Sequence, residues 1–171
     1  MKNISYRNVN ITGGFWKEKQ DLNAGVTAQQ VYDRFAETYR FDALNCRPEG
    51  EREYTPHVYW DSDVAKWIEG VAYILDKGQG KTLYPLAREA INNVLKNQTP
   101  EGYFNSHFQV VEPENRYTDR NCHELYCAGH LLEAAIAYHE ATGKDAFLNA
   151  MMRYMDHIYE IFVVAQSASF V

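Results

Sequence analysis

Cys122-His123-Glu124-Leu125-Tyr126-Cys127-Ala128-Gly129-His130-Leu131-Leu132-Glu133-Ala134-Ala135 has the apolar spacing of a helix. At ~100° per residue, positions i, i+3, i+4 and i+7 share one face, so His123, Tyr126, Cys127 and His130 fall on a single stripe. Two imidazoles, a phenol and a thiol in an otherwise apolar helix suit the wall of a polar pocket. They equally suit a core in which each polar group finds one local hydrogen bond. The pattern predicts a helix from about Asn121 to Thr142, closed by Gly143.

Similar helices flank this one on both sides. Towards the C-terminus, helical spacing runs from Asp145 to about Phe162. Towards the N-terminus, Leu83, Leu86, Ala87, Ala90, Ile91 and Val94 form the inward stripe of a helix over about Thr82 to Lys96. Trp67, Val71 and Ile74 do the same from about Asp61 to Leu75, with Asp61 or Ser62 as N-cap and Gly78-Gln79-Gly80 as the stop. A further helix covers Trp16 to about Tyr39. Before it, Val9 to Trp16 alternates and breaks at Gly13-Gly14, which reads as a short strand or extended arm and a turn. Short turns imply antiparallel neighbours, and the pairs starting near Asp61 and Thr82, then near Asn121 and Asp145, suggest an α/α-hairpin toroid or solenoid.

Composition narrows the function classes. The chain has 171 residues, 46% hydrophobic and 14% aromatic, which is enough for one domain with a real core. A net charge of -6 gives no basic footprint for nucleic acid. No apolar run reaches the ~18 residues that span a bilayer, and residues 1–7 lack the core of a signal peptide, so a cytoplasmic location and no membrane partner are expected. Cys46, Cys122 and Cys127 read as free thiols.

Four places could carry chemistry. Trp60-Asp61-Ser62-Asp63 combines carboxylates with an indole, which suits sugar recognition, although capping of a helix start accounts for Asp61 as well. Tyr103 and Phe104 follow a Pro-Glu-Gly turn and suit a plug over helix ends. On the Cys122–His130 stretch the histidines are not spaced as His-Glu-x-x-His; Cys127, His123 and His130 could approach a metal but lack a fourth ligand, so no metal ligand is assigned. Tyr138-His139-Glu140 and Asp156-His157 read as solvated surface. Phosphate loops, nucleophile elbows and dinucleotide fingerprints do not occur.

Taken in order, these pieces resemble a known family. Gly14-Phe15-Trp16, Asp61-Ser62-Asp63-Val64-x-Lys66-Trp67-x-Glu69, Gln98-x-x-x-Gly102-Tyr103 and His123 to Ala135 resemble glycoside hydrolase family 127, the β-L-arabinofuranosidases, from about Val9 to Phe162. The resemblance implies an all-α (α/α)6 toroid, here an incomplete barrel of about five helices with a short N-terminal arm. It implies retaining hydrolysis of terminal β-L-arabinofuranosides by a zinc-bound cysteine nucleophile and a glutamate acid/base. It also implies that His123 lines the sugar pocket, with Tyr126, His130, Asp61 and Asp63 near it. The family's nucleophile, zinc ligands and acid/base belong to a later part of its chain. Cys46, Cys122 and Cys127 do not match them, so no catalytic residue and no zinc are expected in this chain, zinc being expected only at full length. Residues 1–162 are read as the N-terminal portion of the catalytic domain. Residues 163–171 are read as an atypical tail left by truncation or a frameshift, which makes the chain an inactive fragment. Its expected partner is a carbohydrate, and uncovered apolar helix faces are expected to drive self-association. A non-catalytic sugar-binding scaffold and another (α/α)-barrel enzyme, such as an unsaturated glucuronyl hydrolase using an aspartate, are the alternatives.

Overall fold

Alternating apolar stripes and glycine stops produce helices throughout the computed structural model, which describes residues 4–166; among these there is no strand. The elements are α1 (Gly14–Leu22), α2 (Ala28–Glu37), α3 (Arg40–Ala43), α4 (Trp60–Asp76), α5 (Leu83–Asn97), α6 (Glu124–Thr142) and α7 (Ala146–Tyr159). A π-helical turn, Asn23–Thr27, carries α1 straight into α2, so the pair forms the single long helix predicted there. The N-terminal arm holds a 3-10 turn, Tyr6–Asn8, in place of a strand. Lys77 Nζ donates to the carbonyls of Tyr6 (2.9 Å) and Val9 (3.1 Å), and Arg7 pairs with Asp76, pinning the arm to the end of α4.

The two predicted hairpins form: α5 folds back on α4, and α7 on α6. The most extensive packing joins α4 to α6, and α5 touches α7, giving two helical layers. Small buried residues, Ala65 and Ala72 on α4 and Ala128, Ala134 and Ala135 on α6, permit close approach of the first pair. Leu83, Ala87, Ala90, Ile91 and Val94 of α5 are buried as their spacing requires.

The connection from α5 to α6 is unusually buried for a loop. Tyr103, Phe104, Asn105, Ser106, His107 and Phe108 are all buried. Buried backbone needs partners, and side chains supply them. Asn105 Oδ1 accepts from the N–H groups of His107 and Phe108, Gln109 Oε1 from Asn105 N–H, and Asp61 Oδ2 from Ser106 N–H. Gly102 starts this segment at φ +94°, where an added Cβ would lie 2.5 Å from the Arg153 carbonyl oxygen.

Several local expectations are corrected. Helix α6 begins at Glu124, preceded by a 3-10 turn at Arg120–Cys122, with His123 as a left-handed N-cap at φ 61°. Neither Asp61 nor Ser62 caps α4. The N-cap is Tyr59, whose carbonyl accepts from Ser62 Oγ, and Asp61 turns inward to the loop. Tyr138 is buried, and His157 packs against Tyr103 and Tyr117, so only Glu140 and Asp156 of those two segments are fully solvated. Residues 160–164 form a π-helical turn; of the segment read as a tail, 167–171 lie outside the described residues.

Candidate functional site

His123 precedes the helix in a left-handed conformation at φ 61°, and its ring still meets Tyr126 of the predicted stripe. For a residue with a Cβ, this conformation costs roughly 1–2 kcal/mol, and such strain concentrates where a side chain must be aimed. His123 is exposed, and its Nδ1 lies against the Asn121 carbonyl oxygen. A carbonyl only accepts, so in this contact Nδ1 is the donor.

Around His123 runs a band of exposed rings. Tyr59 meets His123 edge-on at 6.0 Å, Tyr126 meets it at 5.6 Å, and Tyr126 meets His130 at 4.5 Å. His57 extends the band beyond Tyr59 at 4.0 Å. Lys66 Nζ of α4 donates to the Tyr126 hydroxyl (2.8 Å), joining the two helices across the band. Tyr126 and Tyr59 remain 47% and 40% exposed, open to a ligand. Such a surface stacks on apolar sugar faces and presents donors and acceptors to hydroxyls.

The remaining sequence-named residues lie elsewhere. Cys127, on the predicted stripe, is buried with its thiol towards the Val58 carbonyl. Asp63 Oδ2 accepts from Arg40 Nε (2.9 Å), which turns it towards α3. Asp61 is 2% exposed and lies behind the band, where burial pushes its carboxyl above the ordinary value. The sequence reading does not name His57, Tyr59 or Lys66 among its site residues. The alternation His57-Val58-Tyr59, with two rings outward and Val58 between them, is the local signal that could have found the first two.

Burial raises the pKa of all three thiols, Cys46, Cys122 and Cys127, Cys46 to about 12, and so disfavours their thiolate forms. Among the described residues, no cysteine joins a group of three metal-ligating side chains.

A concavity of about 530 Å³ lies between the α1–α2 helix and α4, where apolar walls including Val31, Phe35, Trp67 and Ile74 meet the polar side chains of Asp63, Lys66 and Lys77. Among the described residues, no helix is long and apolar enough to cross a membrane.

The paired helices match part of the (α/α)6 fold of GH127 enzymes. The chain belongs to the β-L-arabinofuranosidase GH127 catalytic domain family, whose profile matches residues 8–170. It is similar to the GH127 β-L-arabinofuranosidase of Geobacillus stearothermophilus T6 (TM-score 0.86, 35% identity), covering 94% of this chain and 27% of that one. A second solved GH127 β-arabinofuranosidase superposes with TM-score 0.79 at 26% identity, over 90% of this chain and 26% of that one. The non-reducing end β-L-arabinofuranosidase of Bifidobacterium longum subsp. longum is 27% identical over 87% of this chain and 26% of its own length. The chain thus spans about a quarter of the length of these relatives.

Proposed function

We propose that this chain forms one wall of the sugar pocket of a β-L-arabinofuranosidase-type glycoside hydrolase. The observation that carries the reading is the strained, outward-aimed His123 set between Tyr59 and Tyr126. In this reading His123 Nε2 accepts a sugar hydroxyl proton, Tyr126 and Tyr59 pack on the ring, and His130 borders the same surface. Asp63 contributes through Arg40, and Asp61 supports the wall from behind by holding the 103–108 segment.

In this reading the chain by itself binds a terminal arabinofuranoside without cleaving it: the Cys127 thiol is buried against the Val58 carbonyl, and burial disfavours the thiolates of Cys46 and Cys122. The test combines saturation-transfer NMR with methyl β-L-arabinofuranoside and release of 4-nitrophenol from the matching glycoside, with zinc and reductant present. Binding that is lost in His123→Ala, without turnover, is expected. Turnover by the chain would refute the non-catalytic part, and binding unchanged in His123→Ala would refute the site.

A further inference from the structure

We propose that Glu69, His130 and Glu133, drawn from α4 and α6, form a divalent-metal site of the zinc class, separate from any thiolate centre. The donor atoms of the three side chains lie within 4.8 Å of one another. Two bonds of ~2.0–2.2 Å to one ion place donors no more than ~4.4 Å apart. Closing that gap takes a few tenths of an ångström, and the 61% exposed Glu133 side chain is free to give it.

Three features favour an ion over a plain ion pair. His130 Nδ1 is buried and lacks an aligned hydrogen-bond partner, although Glu133 Oε2 is only 3.0 Å away. The nitrogen and the carboxylate oxygen therefore lie side by side without pointing at each other. The ligands also sit on rigid elements: His130 and Glu133 are i, i+3 neighbours on one helical face, and Glu69 comes from the helix packed most extensively against it. Finally, groups around the ligands orient them, as bound metals require. Tyr73 Oη donates to Glu69 Oε1 (2.7 Å), and the Tyr126 ring meets the His130 ring edge-on at 4.5 Å.

One imidazole and two carboxylates match zinc better than calcium or magnesium, which take oxygen alone. Two carboxylates balance the ion's charge. Three protein ligands leave at least one position open to water or a hydroxyl.

The full chain, stripped with a chelator, is titrated with Zn²⁺ by calorimetry and with Co²⁺ by visible absorption. One ion per chain is expected, with cobalt d–d bands and no thiolate-to-metal charge-transfer band. Glu133→Gln, an exposed change that leaves the core intact, and His130→Ala should each weaken binding by at least the ~10–100-fold that loss of an orienting partner costs. Absence of binding, a charge-transfer band that makes cysteines the ligands, or unchanged affinity in both variants would overturn the proposal.

Discussion

Removing one oxygen atom, in Tyr103→Phe, tests how this fold accommodates a buried carboxylate. Glu124 is 1% exposed at the start of α6, and its Oε1 accepts from the hydroxyl of the fully buried Tyr103 at 2.6 Å. Its Oε2 accepts from Tyr117 N–H. The substitution keeps the ring contacts with Tyr117 and Tyr154 and strands Oε1. Hydrogen bonds to charged groups contribute about 1.5–3 kcal/mol. At ~2–4 °C per kcal/mol for a chain of this size, Tm falls by roughly 3–12 °C. Tyr73→Phe is the control. It deletes the same kind of bond, to Glu69 at 2.7 Å, but at a residue 40% exposed, where the cost stays within ~0.5 kcal/mol. Burial raises the Glu124 pKa, and the Tyr103 bond opposes that rise by favouring the ionised form. The penalty is therefore largest at neutral pH and shrinks as acid protonates Glu124. Thermal denaturation followed by circular dichroism at pH 7 and pH 4 reads both effects. Equal losses for the two variants, or a Tyr103→Phe loss that grows in acid, would refute the reasoning.

Other substitutions probe the remaining elements. Gly102→Ala places a Cβ against the Arg153 carbonyl at a positive φ and should cost more than the ~1–2 kcal/mol of left-handed strain alone, read by urea denaturation. His123→Gly should be more stable than His123→Ala by ~1 kcal/mol, because glycine accepts φ 61° freely, while both lose sugar binding. Asp61 has a folded-state pKa raised above its ordinary 3.8 by burial, so its contribution is fully favourable below that value and is lost as pH rises through the folded pKa. Asp61→Asn, which keeps an acceptor for Ser106 N–H, should therefore flatten the decline of Tm between acid and neutral pH. A parallel decline in wild type and variant would show that Asp61 is not its source.

Helices were legible in the sequence because their signals are local. The stripes Leu83 to Val94 and Trp67 to Ile74, and the stops at Gly78-Gly80 and Gly143, need only neighbouring residues to be read. The start of α6 was misplaced because helical periodicity does not register one left-handed residue, and His123 interrupts a run that otherwise looks continuous. Tyr138 and His157 were read as surface because polar character was weighed ahead of the rings packed around them.

The chain's own order of residues determined its helical class, its hairpin pairing and its family, since periodicity, turns and motif order are one-dimensional properties. Tertiary packing decided which residues meet. Asp61 and Asp63 look alike in the sequence, yet a loop 45 positions onward covers the first and Arg40 holds the second. Lys66 reaches Tyr126, and Glu69 approaches His130, only because α4 lies along α6. Contacts between residues some 60 positions apart arise from helix packing, and no local pattern encodes them.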